Sequence, residues 1–76
     1  MIRELETVVL TRDLPDYGLS RGDIGAVVHR YKEGAAFEVE FVTGKGCTLA
    51  VVTLESGDVR PMHPNEILHA REIQAA

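Results

Sequence analysis

The segment FEVEFV, residues 37–42, constrains this chain more than any other. Phe37, Val39 and Phe41 alternate with Glu38 and Glu40, a period of two that a strand satisfies and a helix does not. One face is therefore buried and the other wetted, as in a half-buried antiparallel strand. Apolar, β-branched runs flank it on both sides: TVVLT at residues 7–11, AVVHRY at 26–31 and CTLAVVTL at 47–54. KEG, TGKG and ESGD lie between or after them, with glycine free to take positive φ and Ser or Asp able to bond the local backbone. The spacing predicts two hairpins, through residues 32–36 and 43–46, in an all-β meander.

With 76 residues the chain builds one hydrophobic core, so residues 1–76 are read as a single domain. Cys47 is the only cysteine, which excludes an internal disulfide and leaves a metal or a partner subunit as the available staple.

Two stretches are less regular. Residues 12–25 form a connection at the upper end of ordinary loop length, about 12–15 residues. Pro15 and Gly18 shape it, Gly22 and Gly25 turn it into the second strand, and Leu14, Tyr17 and Leu19 fold it back on the core, so Arg21-Gly22-Asp23 reads as a turn. At the other end, HPNEILHAREI (residues 63–73) has two open readings. It begins a helix near Asn65 with Ile67, Leu68 and Ala70 on one face, or it makes a 3-10 turn at 63–66 and a fifth strand at 67–71. The second is favoured, because a five-stranded core needs a closing strand.

This order of strand, long loop, RGDIGAVV, meander, short turn and last strand is similar to SH3-like small barrels. RGDIGAVV looks like the GD-x-G-x-V turn of KOW domains and of the small photosystem and nitrile-hydratase barrels. A more specific resemblance lies in TVVLTRDLPDYGLSRGDIGAVVHRY, AFEVEFV, TLAVVTL and DVRP, spread over residues 5–71. These are similar to a family of small bacterial proteins classed as a domain of unknown function. The resemblance implies a five-stranded SH3-like barrel with a long first loop and a short 3-10 turn before the last strand, and it transfers no functional residues.

The formal charge of −4, and basic residues dispersed as Arg3, Arg12, Arg21, Arg30, Lys32, Lys45, Arg60 and Arg71, argue against nucleic acid as partner. A KOW-like RNA contact would want basic loops, whereas the first loop sets Asp13, Asp16 and Asp23 against Arg12 and Arg21. No apolar stretch approaches the roughly 20 residues of a membrane span, and the acidic start reads as cytoplasmic rather than exported. His29, His63 and His69 match no compact zinc pattern, Cys47 reads as a packed strand residue, and Glu38 with Glu40 reads as a solvated face. GKG at residues 44–46 lacks the helix of a phosphate loop. The expectation is a non-enzymatic protein with no cofactor, metal or small-molecule substrate.

Apolar residues occupy both parities of two strands: Val8 and Leu10 against Val9, and Ala50, Val52 and Leu54 against Leu49 and Val51. The second face needs a cover, supplied by the chain's own loops or by a partner. The candidate partner surface is the first loop with its adjacent turns: Asp13, Asp16, Tyr17, Leu19 and Arg21, joined by Tyr31 and Arg60. The expected partner is a protein or a second copy of the chain. The alternatives are a KOW-like RNA or ribosome contact and an inhibitory or immunity partner of a neighbouring gene product.

Overall fold

The computed structural model describes residues 2–73. Five antiparallel strands form one sheet: β1 (Thr7–Leu10), β2 (Ile24–Tyr31), β3 (Ala36–Val42), β4 (Thr48–Glu55) and β5 (Val59–Pro61), in the order β4-β3-β2-β1-β5. The regular helical pieces among the described residues are three 3-10 turns of three residues each.

β2 joins the two halves of the sheet. Residues 24–26 pair with β1, and residues 26–31 pair with β3. Between Val27 and His29 the register shifts, leaving Val28 without a cross-strand partner. Such a bulge increases local twist and bends the strand, so both halves of the sheet can face a common interior. That interior draws on every strand: Val8, Leu10, Val27, Phe37, Val39, Phe41, Val52, Leu54 and Val59. The first loop adds Leu14 and Leu19, as its apolar spacing predicts. β2 approaches β3 closely at Gly25, where a Cβ would sit 2.7 Å from Val39 Cγ1, 2.9 Å from Phe41 Cε1 and 3.0 Å from the Glu40 carbonyl oxygen.

The last strand differs from expectation. No strand forms at residues 67–71; the fifth strand is Val59–Pro61, entered directly from the 3-10 turn Ser56–Asp58. Val59 is buried opposite Leu10, and the Thr11 hydroxyl donates to the Gly57 carbonyl, so the short DVRP segment already completes the row beside β1. Residues 63–66 make a single turn instead of a 3-10 helix, with the Glu66 N–H donating to the His63 carbonyl. Residues 62–73 carry neither strand nor helix, and the stretch beyond Ile73 lies outside the described residues.

This tail answers half of the question raised by Val9. Arg60, Val9 and Ile24 form one row across β5, β1 and β2. At one end of the row the Arg60 guanidinium donates to both oxygens of Glu66, at 2.8 and 2.7 Å. At the other, Arg71 donates to both oxygens of Asp23, beside Ile24, at 2.8 and 2.6 Å. The tail is thus tied down at both ends of this row, and Val9 in its middle is 6% exposed. β4 receives no such cover: Val51, on the face of Glu40, is 49% exposed.

Candidate functional site

The first loop is a small built structure. Leu14 and Leu19 exchange backbone hydrogen bonds of 2.9 and 3.1 Å, closing a neck beneath the 3-10 turn Pro15–Tyr17. Proline presets φ for the start of that turn. Gly18 ends it at φ 69°, a left-handed conformation that costs glycine nothing. Below the neck the Asp13 carboxylate accepts the Arg21 N–H at 2.8 Å, and Asp23 accepts the Ser20 N–H at 2.8 Å. Arg21-Gly22-Asp23 is thus a turn whose first N–H and last carboxylate are both committed to loop architecture, with Gly22 at φ 93°.

The predicted site residues separate on this geometry. Leu19 is 3% exposed and belongs to the core, a correction to its place on the partner surface: its side chain pays for the loop's closure by burial. Asp13, Asp16, Tyr17 and Arg21 do share the loop and are exposed. Tyr17 keeps about half its surface in solvent, and neither its hydroxyl nor the Asp16 carboxylate has a hydrogen-bond partner among the described residues. Tyr31 is elsewhere, seven residues along β2 from Ile24 and thus roughly 20 Å away. Its hydroxyl donates to Glu38 at 2.8 Å, which raises the Tyr31 pKa. Glu38 also accepts from the Thr53 hydroxyl, and these two hydrogen bonds hold its carboxyl below the usual range. Arg60 is committed to Glu66, whose pKa falls to about 2 through that pair and the His63 N–H it caps.

Beside Tyr17 runs a groove of about 470 Å³, walled by Asp13, Pro15 and Ser20 on the loop, Leu49 on β4, and Glu72 and Ile73 on the tail. It continues into a wider trough of about 880 Å³ floored by Leu19, Ile24, Phe41 and Leu49. Leu49 reaches this end because the β3–β4 register shifts between Phe41 and Val42, leaving Leu49 unpaired in β4. Val42 and Ile24, which line the trough with it, lie on the outer face to which the sequence alternation assigns Leu49 together with Val51. Arg71 fixes the tail wall: besides Asp23 it donates to the Gly18 carbonyl at 3.0 Å, and the hydrogen bond holds the Asp23 carboxyl below its ordinary range. Leu49, Arg71 and Ile73 were missed by sequence reasoning, since the pairing of Arg71 with Asp23 spans 48 positions and no local pattern encodes it. Among the described residues no three His, Cys, Asp or Glu side chains gather as metal ligands.

A family model described as a domain of unknown function (DUF4926) matches residues 4–61. The chain belongs to this family. The DUF4926 match ends with β5, so the sheet and first loop lie inside it while the tail that walls the groove lies outside. No curated protein and no solved structure matches the chain.

Proposed function

We propose that this DUF4926 protein is a non-enzymatic protein-binding module of SH3-like barrel type, acting in the cytoplasm, that holds an extended, basic segment of a partner protein in the groove beside Tyr17. The observation that carries the reading is the pairing of Asp16 with Tyr17 on a rigid turn: a free carboxylate and a half-exposed aromatic ring next to an apolar trench. Rigid aromatic anchors at a polar rim are the usual sources of binding energy, and aromatic-lined grooves suit extended segments. Asp13 and Glu72 line the groove, Arg71 beside them is neutralised by Asp23, and Asp16 adjoins Tyr17 in the same turn, a balance that complements a basic segment and disfavours a phosphate backbone. Cys47, expected as a packed strand residue, instead lies exposed just before β4, and a lone exposed thiol is compatible with a reducing compartment.

A photo-reactive phenylalanine in place of Tyr17, in the native cell, tests this. One protein should be captured repeatedly, and Asp16→Arg should abolish its capture. If the adducts match those of the same probe at exposed Arg3, the reading is wrong. The identity of the captured protein separates an adaptor from an inhibitor of a basic target.

A further inference from the structure

The two edges of the sheet are built differently. β5 has three residues and ends in Pro61, two standard protections against strand addition. β4 has eight; its bulge at Leu49 disturbs one end, but the regularly paired run Ala50–Leu54 contains no bulge, charge, proline or glycine. It pairs with β3 on one side alone, so the other side presents free backbone donors and acceptors along a β-prone segment. Val51 is exposed at its middle, outside the reach of the tail.

We propose that this edge pairs with the β4 edge of a second copy of the chain, antiparallel, with Val51 on the two-fold axis. Residues opposite one another in an antiparallel pair share a face, so an axis through Val51 sets Val51 against Val51 on the outer face and Ala50 against Val52 on the inner. No charged residue from 48 to 54 then meets another. The ends of the strand explain why the occupant is a copy of this chain. Past Cys47 the β3–β4 turn carries Lys45, which has no ion pair among the described residues. Past Leu54 the chain carries Glu55, which has no ion pair among the described residues, and Asp58, which caps the Glu55 backbone and is itself paired with Arg12 at 2.8 Å. The bulge at Leu49 slips the count by one residue, so the two-fold brings the Gly46–Cys47 corner towards Glu55 and sets each copy's Lys45 turn near the Glu55 of the other. The charges complement twice in one interface, as an isologous contact requires. The Tyr17 groove takes no part, and the two proposals stand or fall separately.

Sedimentation velocity at tens to hundreds of micromolar reads the association directly, with circular dichroism confirming that each variant folds. The wild-type chain should sediment as a dimer. Val51→Lys, an exposed position, should stay folded and become monomeric, because two lysines would meet on the axis. Lys45→Glu and Glu55→Lys should each weaken association about tenfold, and the double variant should recover it. A monomer throughout this concentration range overturns the proposal, as does a dimer that survives Val51→Lys. A double variant no tighter than the single ones overturns the register centred on Val51.

Discussion

Residues 7–61 and residues 62–73 are fastened by different forces. The first region holds itself by burying side chains from all five strands and the first loop. In the second, every residue from His63 to Ile73 is exposed, Ile67 at 89% and Leu68 at 69%; past the Met62 N–H, which donates to the Thr7 carbonyl, the attachments are Glu66 gripping Arg60 and Arg71 gripping Asp23 and the Gly18 carbonyl. Burial is insensitive to salt and proportional to area, whereas exposed ion pairs are weak, screened and dependent on protonation. The sheet should therefore govern whether the chain folds, and the tail whether one wall of the groove is in place.

The largest effect is expected in the core. Leu10 is 1% exposed, and Leu10→Ala should cost about 2–5 kcal/mol. That is a large part of the roughly 4–11 kcal/mol available to a domain of this length. Denaturant unfolding should show the midpoint collapse, with sheet and tail lost together. Next comes Gly25→Ala, whose methyl group would meet the Val39 side chain and the Glu40 carbonyl. Because a paired backbone carbonyl cannot swing aside, about 1–3 kcal/mol should be lost in the same measurement.

Arg71→Ala should separate the two regions. The unfolding midpoint should barely move, while limited proteolysis should cut within residues 62–73 and amide exchange at Val9 should rise. A large loss of global stability would show that the tail belongs to the folding unit. Raising salt should loosen the wild-type tail in the same direction, by less.

Acid should produce the smallest effect. The folded Glu66 pKa of about 2 lies below its ordinary 4.5, so the clamp's contribution is complete above the ordinary value and is lost as pH falls through about 2. Asp23 and Asp58, both lowered chiefly by hydrogen bonds from Arg71 and Arg12, act with the same sign. The guanidinium resonances of Arg60 and Arg71, which report the clamps themselves and not the tail histidines, should thus hold steady through mild acid and move in the window below about 4.5. Movement above it would place the tail's attachment outside these carboxylates.

The alternation of residues 37–42, the turn glycines and the paired apolar runs determined by themselves that the chain forms an antiparallel meander with β3 between β2 and β4. They also folded the first loop back on the core through Leu14 and Leu19, although they left Leu19 on the candidate partner surface, from which its burial removes it. The tertiary structure decided the rest. Val59–Pro61 took the place beside β1 once Val59 could fill the core there, leaving residues 67–71 without a strand to pair with. A one-residue bulge left Leu49 without a cross-strand partner at the groove, and local periodicity cannot announce a slip set by the facing strand. The tail was positioned by two arginine–carboxylate pairs, one of them 48 positions apart, and charge pairing at that separation leaves no trace in local order. It is the reason the groove beside Tyr17 has a second wall.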